Sequence, residues 1–548
     1  MKGFVIAGTG SGSGKTTITL GILAYLSKLG YKVAPFKVGP DFIDPGHHTA
    51  LTGKISRNLD SWMLSKSVNE KIFAKGCLGA NFDKESVAKA DFNKTDFGRV
   101  SEIVDIAVVE GVMGLFDGYS GSSEAGSTAQ MAKWLKLPVV LVVDAKSMAR
   151  SAAAIVQGFE NFDPEIEFAG VIFSKTGSQR HYDYLKEAIE GNCRMKCLGH
   201  IPRNPEITMP ERHLGLVTSD EYKLSSDVIG KLVEIVDKNT SIREMVETLP
   251  QYNISKLSCL INLDSYQENS NENINSIQTS DNFQLIVSPQ NIKTRIAVAR
   301  DKAFCFYYQE NIEALKRYGA EIVQFSPIDS PSLPPDIHGI YLGGGYPEIF
   351  AQQLSDNKSL IKEIKEKSLQ GMPIYGECGG FMYLCKDITV LDEPATKEHG
   401  EKKIQATDIN IESLTSIDKI RKKYPMAGCF PFSAVMSKKM RSLGYRQITL
   451  KQDTIIGKKG DILRGHEFHY SSLESDNINL CGEHNGCVSQ LMKVYDTTAR
   501  DGQELSLNGY QVNNTLGSYL HLHFESMEGG AALAFVDSCQ KFCCLSES

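Results

Sequence analysis

The sequence predicts two α/β domains, each built on a mainly parallel sheet. Short Val- and Ile-rich runs, such as 106–109 and 138–143, alternate with segments of helical periodicity. Such runs are typical of strands that are buried on both faces of a parallel sheet. Strand-like runs end in glycine-rich turns in both halves of the chain, at 8–14 and at 342–345. A stretch rich in Asn, Ser and Gln, from 251 to about 293, separates the two halves.

The composition indicates an ordinary globular protein. The chain has 548 residues, of which 41% are hydrophobic and 23% charged. Its net charge of -7 argues against nucleic-acid binding, which needs a basic face. No apolar run reaches the roughly 18 residues of a membrane span, and Phe4–Gly8 lacks the pattern of a signal peptide. The 13 cysteines are therefore interpreted as reduced thiols, and a cytoplasmic location is expected.

Residues 8–17 read GTGSGSGKTT and lie between an apolar run and an apolar-periodic helix. Strand, glycine-rich loop and helix in this order predict a phosphate-binding loop, although the strict pattern needs glycine where this chain has Thr9. The loop backbone would face phosphate oxygens, Lys15 would reach the β- and γ-phosphates, and the Thr16 hydroxyl would bind Mg²⁺. The predicted nucleotide-binding residues are Gly12, Gly14, Lys15, Thr16 and Thr17.

Three acids follow predicted strands of the first domain. Asp41 and Asp44 come after the run 32–39, at the edge where open α/β sheets bind their ligands. They either hold metal, orient phosphates and place an attacking group, or cap a solvated turn. Glu110 ends the run 106–110, and an acid there is the usual second Mg²⁺ anchor beside a phosphate loop. The predicted metal-binding set is Thr16, Asp41 and Glu110.

Cys378 closes the apolar run 372–375 and precedes two glycines. This pattern predicts a nucleophile elbow, in which a sharp turn exposes the sulfur and glycines allow substrate to approach closely. The helix predicted next would favour the thiolate through its dipole. A buried cysteine in a glycine turn is the alternative. The triple glycine at 343–345 and the segment SYLHLH at 518–523 favour the reactive cysteine.

The predicted domains are 1–240 and 294–548, with a linker or insertion at 241–293. A second insertion is expected on the surface near 393–424, because that segment is charged and poor in large apolar residues. From Met426 onward the pattern changes to short strands and turns.

Eight motifs in chain order carry a resemblance: GTGSGSGKTT, KVGPDFIDP, RNLDSWML, VVEGVMGLFDG, YLGGGYPE, YGECGGFMYL, RGHEFHYS and GSYLHLHF. Their combination resembles the cobyrinic acid a,c-diamide synthase family over most of the chain, apart from the two insertions. The resemblance implies a dethiobiotin-synthetase-like ATPase domain followed by a class I glutamine amidotransferase-like domain. It also implies a carbon–nitrogen ligase of cobalamin biosynthesis that amidates the a and c acetate groups of cobyrinic acid through an acyl phosphate. ATP would be a substrate and Mg²⁺ a cofactor.

The resemblance also implies roles for particular residues. Cys378 would attack the glutamine amide, and His521 would take the thiol proton. Class I amidotransferases more generally use His-x-Glu, a pattern that His523 and Glu525 match, so His523 stays a candidate beside the preferred His521.

The remaining implied roles concern substrate and transition state. Asp44, with Asp41, would lie where the substrate carboxylate and the metal meet. Oxyanion donors are expected from Gly344, Gly345 and Gly379. The family usually carries Asn near position 174, where adenine is read, and this chain has Ser174 there.

The motifs leave two other functions open. One is the same chemistry on sirohaem, nickel sirohydrochlorin or hydrogenobyrinic acid, because the ligase and glutaminase motifs do not separate these macrocycles. The other is a non-catalytic ATP-binding scaffold, which the intact Cys378, His521 and Lys15 oppose. The expected partners are small molecules, with neither nucleic acid nor membrane, and a homodimer is left open.

Overall fold

The computed structural model describes residues 1–79, 103–207, 211–212, 215–216, 224–253, 294–391, 421–475 and 491–546. The chain divides into two compact units, one of Met1–Gln290 with Tyr308–Glu310 and one of Asn291–Tyr307 with Asn311–Ser548. Most of the expected linker and of the expected insertion near 393–424 lies outside the described residues. In the described part, no helix is long and apolar enough to cross a membrane.

The first unit is built on a parallel sheet. Its strands are β1 (Lys2–Gly8), β2 (Val33–Val38), β3 (Arg57–Leu59), β4 (Ile106–Gly114), β5 (Val139–Asp144), β6 (Phe168–Thr176) and β7 (Cys197–Pro202). The order across the sheet is β3-β2-β4-β1-β5-β6-β7, and every neighbouring pair is parallel. A short antiparallel hairpin follows, formed by β8 (Glu211–Arg212) and β9 (Gly215–Leu216).

Helices follow most of these strands and cover the sheet. They are α1 (Lys15–Lys28), α2 (Ile43–Thr52), α3 (Lys66–Leu78), α4 (Thr128–Leu135), α5 (Ser151–Phe162), α6 (Gln179–Asn192), α7 (Ser226–Asn239) and α8 (Ile242–Thr248). Ile242 and Val246 of α8 are buried in the same apolar cluster as Phe4 of β1. The core of the first unit therefore includes α8, which lies beyond the boundary expected at residue 240. The Asn-, Ser- and Gln-rich stretch begins only after this helix.

The second unit has a larger set of strands. They are β10 (Thr294–Ala299), β11 (Ala320–Phe325), β12 (Gly339–Leu342), β13 (Ile374–Glu377), β14 (Asp387–Leu391), β15 (Arg421–Pro425), β16 (Phe432–Met436), β17 (Ser442–Leu450), β18 (Ile462–His469), β19 (Ser471–Ser475), β20 (Met492–Lys493), β21 (Tyr495–Ala499), β22 (Glu504–Leu505), β23 (Tyr510–Val512), β24 (Thr515–Ser518) and β25 (Leu520–Leu522). Its helices are α9 (Gln309–Arg317), α10 (Ala351–Asp356), α11 (Lys358–Leu369), α12 (Gly379–Leu384) and α13 (Gly530–Ser546).

The main sheet of this unit has the order β11-β10-β12-β13-β24-β23-β20. The pairs from β11 to β24 are parallel, and the last two pairs are antiparallel. Ile374 and Tyr375 of β13 belong to two different apolar clusters, as expected for successive residues that face opposite sides of a sheet. Both faces of the parallel part are thus covered, which explains the continuous apolar runs in the sequence.

The remaining strands form two smaller sheets, β15-β14-β16-β19 and β22-β21-β17-β18-β25. The second of these brings β25 beside β18 through antiparallel pairing of His521 with His466. Segments that are far apart in sequence therefore meet near the end of β13.

Candidate active sites

The phosphate loop connects β1 to α1 through a tight turn. Gly12 and Gly14 have φ angles of 73° and 90°, which favour glycine. Lys15 Nζ turns back and donates to the carbonyl oxygens of Gly10 at 3.1 Å and Met113 at 2.5 Å. Burial, followed by the nearby Lys37, lowers the pKa of Lys15 to about 8. A bound polyphosphate would raise this pKa again and further favour the charged form, since an adjacent anion raises the pKa of an ammonium group.

Two of the three predicted metal-binding residues, Thr16 and Glu110, meet at the start of α1. Thr16 Oγ1 donates to Glu110 Oε1 at 2.8 Å and lies 3.3 Å from Asp44 Oδ2. Asp41 has a different environment, because its Oδ1 accepts the backbone N–H of Ile43 at 2.8 Å and caps the first turn of α2. Asp44 rather than Asp41 therefore shares the Thr16 hydroxyl with Glu110. Thr17 lies in the first turn of the same helix, next to these groups.

Lys37 stands among the carboxylates and was missed by the sequence reasoning. Its Nζ lies 2.6 Å from Asp44 Oδ2 and 3.0 Å from Glu110 Oε1, with Asp41 Oδ2 at 3.8 Å. Burial alone would lower the pKa of Lys37, but Asp44 and Glu110 outweigh it and raise this pKa. Burial would likewise raise the pKa of Asp44, but the Lys37 ammonium lowers it. The available signal was that Lys37 is the one charged residue in the apolar strand VAPFKV.

His48 was also missed, and it fixes the other oxygen of Glu110. Its Nε2 lies 2.7 Å from Glu110 Oε2, and its Nδ1 lies 3.2 Å from Ser56 Oγ. His48 follows Asp44 by four residues on α2, a spacing that places two side chains on the same face of a helix. The fully buried Glu110 is thus held on both oxygens.

The donor set around Thr16 consists of the oxygen ligands that Mg²⁺ prefers. In the described ranges, no group of three or more His, Cys, Asp or Glu side chains is spaced to hold a metal ion. Mg²⁺ prefers oxygen ligands and, in nucleotide sites, takes one or two carboxylates together with phosphates and water. The Thr16 hydroxyl with Glu110 and Asp44 provides that partial set.

The end of β6 supports the phosphate loop from the other side. Ser174 Oγ donates to the carbonyl oxygen of Ser13 at 2.6 Å. Lys175 Nζ donates to the carbonyl oxygen of Gly12 at 2.6 Å and to Asp144 Oδ2 at 2.8 Å. Ser174, at the position expected to read the base, is buried against the loop in this structure.

In the second unit, Cys378 lies at the sharp turn between β13 and α12. Its φ and ψ angles are 47° and -103°, a strained conformation for a residue with a side chain. The sharp turn that the sequence predicts is therefore present, but Cys378 is buried, whereas the prediction had its sulfur exposed. Burial, and after it the Glu348 carboxylate, raises the pKa of the Cys378 thiol, whereas the Gly379 N–H opposes that rise. The resting group is a neutral thiol at neutral pH, so an attack by its sulfur needs a base.

The glycine loop after β12 packs between this turn and His521. A Cβ on Gly344 would lie 2.2 Å from His521 Cε1, and a Cβ on Gly379 would lie 3.0 Å from the nitrogen of Gly345. Only glycines permit this packing, which brings the three predicted parts of the site together. The expectation for Gly344 needs correction, because its N–H donates to the carbonyl oxygen of Phe306 at 3.2 Å. Gly345 and Gly379 then remain as the candidate oxyanion donors.

The two candidate histidines have different surroundings. The ring of His521 stacks on His466, with centroids 4.8 Å apart, and its Nδ1 lies 3.8 Å from Glu377 Oε2. His523 is fully buried, and burial lowers its pKa to about 3. Glu525, the acid of the His-x-Glu pattern, forms an ion pair with Arg317. The acid that a His523-based triad would use is therefore engaged elsewhere, which favours His521.

Comparison with known proteins gives a consistent assignment. Residues 4–217 match the CobQ/CobB/MinD/ParA nucleotide binding domain, and residues 295–529 match the CobB/CobQ-like glutamine amidotransferase domain. The cobyrinate a,c-diamide synthase of Leptospira interrogans serogroup Icterohaemorrhagiae serovar copenhageni (strain Fiocruz L1-130) is 37% identical over 98% of both chains. This chain belongs to the cobyrinate a,c-diamide synthase family.

Other members of the family give the same result. The enzyme of that name from Dehalococcoides mccartyi (strain CBDB1) is 38% identical, and the one from Priestia megaterium is 37% identical. Each alignment covers 95% of this chain and 94% of the relative. Membership makes the chain an enzyme, a glutamine-dependent amidotransferase of the ligase class, and confirms the two-domain α/β fold predicted from the sequence.

Proposed function

We propose that this chain amidates the a and c acetate side chains of cobyrinic acid, with ATP for activation and glutamine as nitrogen donor. The observation that carries the proposal is the presence, in one chain, of a phosphate loop with an assembled carboxylate cluster and of a strained cysteine turn with a glycine loop that packs on both this turn and His521. Near full-length similarity to enzymes named for this reaction supports the choice of substrate.

The ligase step needs activation, because a carboxylate is a poor acyl donor. A carboxylate oxygen attacks the γ-phosphorus of ATP, the bond to ADP breaks, and an acyl phosphate forms. Ammonia then attacks the acyl carbon, phosphate leaves, and an amide remains. The loop N–H groups and Lys15 hold the phosphates and offset the charge that develops on the transferred group.

Mg²⁺ would be held by Thr16 with Glu110 and Asp44, and it would supply further charge neutralisation when bound. Lys37 forms ion pairs with Asp44 and Glu110, and its positive charge partly neutralises these two carboxylates. An anionic substrate can therefore approach with less repulsion than two uncompensated carboxylates would cause. His48 holds Glu110 in one orientation for this purpose.

The glutaminase step releases the ammonia. Cys378 Sγ attacks the side-chain amide carbon of glutamine, and His521 takes the thiol proton. The C–N bond then breaks, the proton passes to the leaving nitrogen, and ammonia departs from a thioester that water hydrolyses to glutamate. The N–H groups of Gly345 and Gly379 are proposed as donors to the oxyanion.

The test is an amidation assay on the full chain with ATP, Mg²⁺ and glutamine. The substrates are cobyrinic acid, hydrogenobyrinic acid, nickel sirohydrochlorin and sirohaem, and mass spectrometry counts the carboxyl groups converted to amides. The proposal predicts the diamide of cobyrinic acid. Turnover of another macrocycle alone would refute the substrate, and absence of both amide and glutamine-dependent ammonia would refute the chemistry.

A further inference from the structure

Glu377 is a buried acid that directly precedes the nucleophile. It ends β13, is 1% exposed, and is adjacent in sequence to Cys378. A buried carboxylate is costly unless donors compensate it, so its partners indicate what it does.

Three donors form hydrogen bonds to the carboxylate. Tyr375 Oη donates to Oε1 at 2.8 Å, Tyr341 Oη donates to Oε2 at 3.1 Å, and the backbone N–H of Leu522 donates to Oε1 at 3.1 Å. Burial, followed by the charge of Glu377, holds the pKa of both tyrosines well above 10. Both hydroxyls therefore keep their protons, and Glu377 stays an acceptor.

The same carboxylate faces His521. Oε2 lies 3.8 Å from Nδ1 of His521, and the bond from Leu522 anchors the residue that follows this histidine in β25. In the His-x-Glu pattern the acid comes two residues after the base, but two residues after His521 this chain has His523. The acid beside His521 therefore comes from the strand that carries the nucleophile.

We propose that Glu377 is the positioning residue of the glutaminase step, in place of the acid that His-x-Glu would supply. Its carboxylate, 3.8 Å from Nδ1, favours the tautomer of His521 that carries its proton on Nδ1, which leaves Nε2 to take the proton from Cys378. The imidazolium that forms then lies beside the Glu377 carboxylate, while the proton moves from Sγ to Nε2 and on to the leaving nitrogen. The inference rests on the proposed glutaminase function of the second domain.

The other ionisable groups near His521 do not position this histidine. His466 of β18 faces it, and burial, with His521 next, holds the pKa of His466 well below 6.5, so this ring stays neutral. Glu467 of the same strand is compensated by Arg446 Nε at 2.9 Å and His469 Nε2 at 2.6 Å. His523 is neutral because burial lowers its pKa to about 3.

The first experiment uses Glu377→Gln in the full chain, which keeps the size and one acceptor oxygen but removes the charge. Glutamine-dependent ammonia release should fall about 10- to 100-fold. The acidic limb of its kcat/KM profile should move to lower pH, because a carboxylate beside the base favours the charged imidazolium. Amidation with added ammonia should be unchanged.

Two further variants separate positioning from support of the fold. Tyr375→Phe removes one donor but leaves the charge, and it should lower the rate less than about fivefold with the acidic limb in place. Glu377→Asp restores the charge on a shorter side chain, so its rate should exceed that of Glu377→Gln and its acidic limb should return toward the wild-type position.

Three results would overturn the proposal. They are a wild-type rate and pH profile for Glu377→Gln, equal losses of glutamine- and ammonia-dependent synthesis, and Glu377→Asp no better than Glu377→Gln. If Glu377→Gln does not fold, the glutaminase rates of the other two variants decide: Glu377→Asp, which displaces the carboxylate, should lower the rate more than Tyr375→Phe, and equal rates would overturn the proposal. Cys378→Ala is measured beside them: if it keeps glutaminase activity the proposed function fails, and if only Glu377→Gln is unaffected the role of Glu377 fails.

Discussion

The two candidate sites hold buried charge in opposite ways. In the nucleotide-binding domain, Lys37 forms close ion pairs with Asp44 and Glu110. In the amidotransferase domain, burial raises the pKa of the Cys378 thiol and keeps it neutral. The first site thus works with groups that are already charged, and the second creates its nucleophile only when a base takes the proton.

This difference gives each site a distinct sensitivity. A charge removed from the first site leaves the remaining buried charges less well compensated, so both stability and ligase chemistry suffer. A base removed from the second site stops ammonia production but leaves the ligase chemistry intact. The following predictions use that contrast.

The largest effect is expected for Lys15→Ala. Loss of the ammonium that contacts the phosphates should lower amidation about a thousandfold with either glutamine or ammonia as nitrogen source. The measurement is amide formation by mass spectrometry under both conditions. Lys28→Ala, an exposed position in the last turn of the same helix, is the matched control and should behave as wild type. Normal synthesis from ammonia by Lys15→Ala would contradict its role.

His521→Asn should impair amidation with glutamine but not amidation with added ammonia. Without the base, glutamine-dependent ammonia release should fall about 10²- to 10⁴-fold, while amidation from added ammonia persists. His523→Asn is the matched comparison, and it should retain more glutaminase activity because that ring has no acid available from Glu525. The reverse ranking of the two variants, both confirmed as folded by thermal melting, would assign the base to His523.

Lys37→Met should destabilise the first domain even without substrates. Two carboxylates would be left buried beside no cation, at a cost of about 3–5 kcal/mol in the free energy of unfolding. Lys133→Met is the control: its ion pairs with Asp163 and Glu165 lie nearer the surface and should contribute about 1 kcal/mol or less. Urea titration of the three proteins measures this, and equal midpoints would show that the cluster is not held by Lys37.

The smallest effect concerns the resting thiol. Because burial raises the pKa of Cys378, its alkylation by iodoacetamide in the absence of glutamine should be slow at neutral pH. The rate should keep rising about tenfold per pH unit past the usual thiol value of about 8.5, since the thiolate fraction grows below the pKa. Cys378→Ala corrects for the other cysteines. A rate that levels off below that value would contradict a raised pKa.

The sequence predicted the parts of these sites that are local. The phosphate loop is contiguous, and the apolar strand before Cys378 with its glycines was enough to predict the turn that is observed. Both domain folds followed from buried strand runs and motif order.

The parts that depend on long-range pairing were not predictable in the same way. Lys37 lies in a strand buried on both faces, so no alternation of polar and apolar residues marked the direction of its side chain. Gly344 was expected to donate to an oxyanion, but its pairing with Phe306 uses that N–H and was not visible in the sequence. The contact of Glu377 with His521 joins β13 to β25, which are more than a hundred residues apart.

The most direct test of the account is Cys378→Ala assayed with cobyrinic acid, ATP and Mg²⁺, first with glutamine and then with an ammonium salt. The account predicts no amide from glutamine and normal amide formation from ammonia, because only the nitrogen source is lost. Amide formation from glutamine, or loss of synthesis from both sources in a folded variant, would contradict two chemically separate sites in one chain.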